Sequence, residues 1–363
     1  MESAPPARPS AAAGGSASPG FQSESSGQTE YQPQAVARAD DAVAVREEAP
    51  LQYVVKKGDT LWDIAGRFLI EPWQWPEVWI VNGQVKNPHL IYPGDVLTLI
   101  WRNGRPQVAL EPSQDRMSPR VRESDLGAAI PTIPIEAIRD FLRGPRLVDP
   151  AELDRAPYLL DFVDLHIIGA AGNGAYAKRL RKGLTAYEVV RIGERYVDPQ
   201  SRELLGLEAI PVAQASVYEF GDPGTVTLTR SFREANLGDY LVKPQADNFD
   251  ANFYPRAPKN KIDSRIIAVF DGVSQIGQYQ VVTLSKGSRD GVEVGHVLDI
   301  LQVGRKARDP HGHRNVLLPE TYAGQVMVFK TEQKVSFALV MSAIRAVHKL
   351  DRATNPGTRP VLN

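Results

Sequence analysis

The strongest constraint in this 363-residue chain is a self-match at a constant offset of 111 residues. "VVRIGERYVDP" (189–199) aligns with "ILQVGRKARDP" (300–310), so that Gly193/Gly304, Asp198/Asp309 and Pro199/Pro310 coincide. The register continues without a gap through "VAQASVYEF" over "AGQVMVFKT", pairing Gln214 with Gln325, and on to Ser231/Ser342 and Ala235/Ala346. Both stretches are short apolar-alternating runs broken about every 8–12 residues by Gly, Asp or Pro, the pattern of β-strands and turns. Two copies of one β-module are therefore expected, at 161–244 and 262–356. Upstream the match is looser, pairing 167–183 with 266–287, after which the second copy inserts "SRDGVEVGH". Gly291 and Gly295 there suit the sharp corners of a small barrel.

The front of the chain follows a different rule. "QYVV" (52–55) is a short β-branched run, and Thr60 then opens "TLWDIAGRF", with Leu61, Ile64, Ala65 and Phe68 at helical spacing. Thr60 is a natural N-cap, and Asp63 completes a capping box with Asp in place of the usual Glu. "EPWQWPEVWIVN" predicts a second short helix, with Pro76 early in it and Val78, Trp79 and Val81 as its apolar stripe up to Asn82. "NPHLIYPGDVLTLIW" passes through the turn Tyr92-Pro93-Gly94-Asp95 into a strand over 96–100. The expected unit is β-α-α-β within 51–101.

Residues 1–50 are mostly Ala, Pro, Ser and Gly, without Leu, Ile or Trp, and read as a disordered leader because they cannot offset the entropy of ordering. Residues 102–130 lack periodicity and read as a linker that allows independent motion. "PIEAIRDFL" (134–142) and "DPAELDRAPYLL" (149–160) predict a short helical connector over 131–160; 245–261 reads as a second linker and 357–363 as a tail. The fold class is α+β multi-domain: a small β-α-α-β module followed by two repeated, barrel-like β-domains.

Composition excludes several functions. With 42 Lys and Arg against 43 Asp and Glu, the chain has no broad positive field for nucleic acid. The one cationic cluster, "YAKRLRKG" (176–183), reads as a solvated edge strand. The lack of cysteine removes disulfides, thiolate nucleophiles and Cys-based zinc sites. No apolar run is long enough to span a membrane, and "MESAPPARPS" has neither the basic start nor the apolar core of a secretory signal, so export is not legible in it. His311 and His313 in "DPHGHRN" could supply two zinc ligands of a wall-cleaving peptidase, but their repeat counterparts are Gln200 and Arg202, which favours a hairpin tip. His166, His296 and His348 have no evident acid or nucleophile partner, and a glycosidase acid would need a second carboxylate across a cleft. No catalytic residue, metal or cofactor is expected.

The candidate site lies in the front module. Its Gly58-Asp59-Thr60 turn and its loop from Asn87 to Tyr92 both sit at strand–helix junctions, so a short fold brings them side by side as a shallow groove. That groove would offer backbone N–H and C=O groups between apolar walls from Leu61, Pro88, Leu90 and Ile91, with His89 in the same loop. An acetamido sugar needs one donor, one acceptor and a slot for its methyl. All five tryptophans, Trp62, Trp73, Trp75, Trp79 and Trp101, fall in this module. Trp79 and Trp101 are expected to be core, while Trp73 and Trp75 are divided between core and sugar stacking.

"YVVKKGDTLWDIA", Asn82 and "NPHLIYPGDVLTL" together resemble the LysM family, over 51–101 only; "EPWQWP" is longer and richer in Trp than is usual there. The resemblance implies binding of N-acetylglucosamine-containing glycans, in bacteria peptidoglycan, through Gly58, Asp59, Thr60, Leu61, Asn87, Pro88, His89, Leu90 and Ile91. The arrangement over 51–356, through "IIAVFDGVSQIGQYQVVTLSKGSRDGVEVGHVL" (266–298), resembles the secretin-associated proteins of type IV pili. That resemblance implies a non-catalytic periplasmic scaffold that anchors an outer-membrane secretin to the cell wall, in several copies as a ring. The alternatives are a LysM-targeted peptidoglycan hydrolase and the anchor of a flagellar or secretion complex.

Overall fold

The computed structural model describes residues 43–79, 91–110, 129–142, 146–164, 167–244, 253–270, 276–312 and 314–357. In the front module β1 (Gln52–Val54) leads to α1 (Leu61–Phe68), a 3-10 turn at Pro72–Gln74 and α2 (Trp75–Trp79). β2 (Val96–Arg102) and β3 (Arg105–Leu110) then complete an antiparallel sheet in the order β1-β2-β3. The third strand corrects the expected linker at its first residues. Asn103 and Gly104 lie at φ 52° and 75°, both positive as a two-residue turn with the strands' own twist requires, so the chain reverses and pairs Arg105 with Arg102.

Thr60 caps α1 as the sequence predicts, its Oγ1 accepting from Asp63 N–H at 3.1 Å, while Asp63 Oδ2 accepts from the Thr60 hydroxyl at 2.7 Å in place of the backbone N–H of a capping box. Leu61, Ile64, Ala65, Phe68, Trp75, Val78 and Trp79 form the module's core. Trp101 corrects expectation, being 61% exposed on the last turn of β2. The leader is also shorter than expected. Val43, Val45 and Ala49 pack on this core, with Val45 bridging Leu69 and Arg46 Nε donating to the Leu69 carbonyl at 2.9 Å; residues 1–42 lie outside the described residues.

The middle of the chain holds α3 (Ile135–Leu142), β4 (Arg146–Val148) and α4 (Pro150–Leu153), the last capped by Asp149 with Pro150 at its start. The expected all-helical connector is thus interrupted by a strand, and the β-region begins before 161. It comprises β5 (Tyr158–Phe162), β6 (Gly174–Lys178), β7 (Ala186–Val197), β8 (Leu204–Glu219), β9 (Gly224–Ser231) and β10 (Tyr240–Val242). The pairings run β5-β6-β9-β8-β7-β10 and return to β5 through Tyr240 and Tyr158, with β4 added on β8. β6 is paired on both sides, by β5 and β9, so "YAKRLRKG" is not an edge strand. Its cations Arg179, Arg181 and Lys182 project from the exposed turn after it.

The second β-region contains β11 (Asp263–Val269), β12 (Val281–Leu284), β13 (Val297–Gln302), the hairpin β14 (Lys306–Arg308) and β15 (Asn315–Leu317), β16 (Thr321–Thr331), β17 (Ser336–Ala343) and β18 (Arg352–Thr354). Six of these close a barrel in the order β11-β12-β17-β16-β13-β18. Taken strand for strand, this is the circuit followed by β5 to β10. Ala186 and Val297 open corresponding strands at the 111-residue offset, and Asp198 and Asp309 each accept from the N–H two residues on, Gln200 and His311, at 2.9 Å.

The second barrel's wall is apolar on both faces, which explains why β16 and β17 read as near-continuous hydrophobic runs rather than alternating ones. Val326, Val328, Ala338 and Val340 fill the lumen. Met327, Phe329, Phe337 and Leu339 face outward under Trp62 of α1, Ile138 and Phe141 of α3, Tyr196 and Leu205 of the β7–β8 hairpin, and Phe253. Phe253 and its neighbours therefore correct the expected linker over 245–261 from residue 253 onward, 245–252 lying outside the described residues: Thr132 Oγ1 donates to the Phe253 carbonyl at 3.1 Å, and Arg256 bridges His296. Gly295 is required at this contact, since a Cβ there would meet the Tyr254 carbonyl oxygen at 2.5 Å.

Candidate functional site

Gly58, at φ +95°, turns the chain from β1 toward α1. Asp59 serves that turn rather than facing outward: its Oδ2 accepts from the Tyr53 hydroxyl at 2.9 Å and from Lys56 N–H at 2.8 Å. Burial raises the Tyr53 pKa, and the Asp59 carboxylate adds to the rise, while Arg67 stacks over the ring at 4.7 Å. On the other side Asp95 Oδ2 accepts from Tyr92 N–H at 2.9 Å, and Gly94 N–H donates to the Val55 carbonyl at 2.8 Å. The two turns named from the sequence are thereby tied to one strand. Asn87, Pro88, His89 and Leu90 lie outside the described residues, as do Val81 and Asn82.

Leu61 and Ile91, the described walls of the groove, are fully buried. What covers them is the chain itself. Ile130 N–H donates to the Ile91 carbonyl at 2.9 Å, Leu61 N–H donates to the Pro131 carbonyl at 2.9 Å, and Trp62 N–H donates to the Thr132 carbonyl at 3.2 Å. The first amides of α1, which have no partner inside the helix, are satisfied in this way. Ile130 joins the same apolar cluster as Leu61 and Ile91.

The front module is also fixed to the second barrel. The Tyr279 hydroxyl donates to Asp63 Oδ1 at 2.8 Å, and its pKa is raised by burial and by that carboxylate. Gln325 Nε2 donates to Glu71 Oε2 at 2.8 Å and lies 3.0 Å from Asp299 Oδ1; Trp73 Nε1 donates to the same Glu71 oxygen at 3.2 Å. Trp62, Trp73 and Trp75 all turn inward, so the tryptophans divided between core and sugar stacking are spent on packing. These contacts join the front module to the second barrel, and the described residues from 43 onward fall in one compact unit.

The family model for the LysM domain matches residues 53–99, the stretch that holds both turns. The chain carries a LysM domain. Over 63 residues it is 40% identical to "Uncharacterized protein YqbP" of Bacillus subtilis (strain 168), a stretch amounting to 15% of this chain and 29% of that protein. The chain thus spans less than a third of that relative. The LysM domain supports peptidoglycan binding.

Elsewhere, His311 sits in the exposed turn between β14 and β15, and His313 lies outside the described residues. His296 is buried with Nδ1 accepting from Glu293 N–H at 3.1 Å. Burial chiefly, with Arg256 adding to it, holds its imidazole down at about 4. Among the described residues no three His, Asp or Glu side chains converge on a point, and no helix is long and apolar enough to cross a membrane. The sequence reasoning missed Ile130, Pro131, Thr132, Glu71 and Tyr279, and gave Asp63 a capping role only. A signal for the first three was present: Ile130 and Ile133 each precede a proline, which forces extended backbone and exposes carbonyls for pairing.

Proposed function

We propose that this protein is a non-catalytic, peptidoglycan-binding scaffold of the periplasm that anchors an outer-membrane secretin of the type IV pilus machine to the cell wall. The carrying observation is that the LysM domain is packed on a β-body through an apolar seam and two side-chain hydrogen bonds, which gives load on the glycan side a path into the second barrel. The two β-circuits with one strand order support a duplicated module, and the sequence resemblance to TsaP, a secretin-associated protein, supports the choice of partner. Gly58, Asp59, Thr60, Leu61, Asn87, Pro88, His89, Leu90 and Ile91 make the glycan groove in this proposal. A single LysM site binding weakly, on the order of micromolar to millimolar, becomes a firm anchor when several copies in a ring share one sacculus.

Co-sedimentation with purified sacculi, combined with affinity capture from envelope extracts, tests the proposal: the protein pellets and the secretin accompanies it. Capture without any secretin refutes the partner. Robust release of soluble muropeptides, blocked by His311→Ala, would replace the scaffold with a hydrolase.

A further inference from the structure

Three backbone groups at the described edge of the proposed glycan groove are already engaged within the chain. Leu61 and Trp62 give their N–H groups to Pro131 and Thr132, and Ile91 gives its carbonyl to the Ile130 amide. They are two donors and one acceptor beside an apolar cluster, the kind of groups that hold an acetamido substituent, and the buried Ile130 side chain lies in that cluster. Pro131 lacks an N–H and offers only its carbonyl, as the position demands.

We infer that residues 130–132 are a built-in surrogate for the sugar: a gate that must leave the groove before a glycan enters. The inference rests on the groove being the glycan site. The gate is latched on the far side of the fold, because the Thr132 hydroxyl donates to the Phe253 carbonyl at 3.1 Å and Ile133 is buried against the outer wall of the second barrel. Apparent glycan affinity is then the intrinsic affinity multiplied by the open fraction, and the barrel's outer face sets that fraction. A protein bound to the barrel so as to release 131–133 would strengthen the hold on the wall, which joins the two ends of an anchor in one equilibrium.

The test uses the full chain, titrated calorimetrically with a soluble N-acetylglucosamine pentamer. Ile130→Ala removes the apolar plug and Thr132→Val removes the latch to Phe253; circular dichroism melts check that each variant still unfolds cooperatively. Each variant binds the pentamer at least tenfold more tightly than wild type. Unchanged affinity in both overturns the gate while leaving the glycan site standing. No binding by wild type or either variant at millimolar pentamer overturns the glycan site and the gate with it.

Discussion

Trp62→Ala probes the seam between the LysM domain and the second barrel. Trp62 is 3% exposed and packs into the cluster that holds Met327, Phe329 and Phe337 of the barrel wall. A buried tryptophan removes about 150–250 Å² from water, which at about 25 cal/mol per Å² is worth roughly 4–6 kcal/mol as an upper bound. Truncation of such residues to Ala typically costs about 3–5 kcal/mol. The hydrogen bond from Tyr279 to Asp63, part-exposed, adds only about 1–2 kcal/mol to the same seam, so the apolar contact dominates. All five tryptophans lie in the LysM domain or at its last strand, which makes their fluorescence a local reporter, while far-ultraviolet circular dichroism reports mainly the barrels. In urea the two signals of the wild type change together. In Trp62→Ala the fluorescence transition moves ahead of the circular dichroism transition, with a loss of about 3–5 kcal/mol. A loss below about 1 kcal/mol with superimposed transitions would refute the seam.

Three further predictions concern the same body. His296 is held neutral with a pKa of about 4 against an ordinary 6.5, so the unfolded chain takes up the proton first and stability falls as pH drops from 6.5 to 4. The loss is about 2–3 kcal/mol at 1.36 kcal/mol per pH unit, and His296→Gln should flatten that limb in urea titrations at stepped pH. Glu203, bonded to Arg289 through both oxygens at 2.7 Å and to Lys334 at 3.3 Å, is held down to about 2 from 4.5; its contribution is complete above 4.5 and disappears as pH falls toward 2. Thermal melts of Glu203→Gln across that range should lose the acid-dependent step that wild type shows. Gly58→Val forces a β-branched residue to φ +95° and should destabilise the LysM domain by about 1–2 kcal/mol while weakening sacculus binding, whereas Gly58→Asn, which tolerates that backbone, should retain most of both.

Much of this molecule was legible locally. The Thr60 cap, the α1 stripe and the Tyr92–Asp95 turn depend on neighbours a few residues apart. β3 was overlooked although Asn103-Gly104 is a strong hairpin signal, because Arg and Pro around it mask the alternation that ends at Val108. The docking of α1 on the barrel was less accessible. Trp62 looks like an ordinary core residue of a small helix, and only the doubly buried β16 and β17, with apolar residues at successive positions, indicate that the barrel's exterior needs a cover. The docking of residues 130–132 on α1 and Ile91 was hidden for the same reason. Ile130 bonds Ile91 and shares an apolar cluster with Leu61 across long stretches of sequence, and no periodicity connects them.

Amide hydrogen exchange at Leu61, Trp62 and Ile130 in the free protein addresses the central claim most directly, since these three N–H groups hold the LysM groove to residues 130–132. All three should be protected without ligand, and saturating N-acetylglucosamine pentamer should release Ile130 while Leu61 stays protected. Exchange of all three in the free protein at the rate of an unstructured peptide would contradict the account.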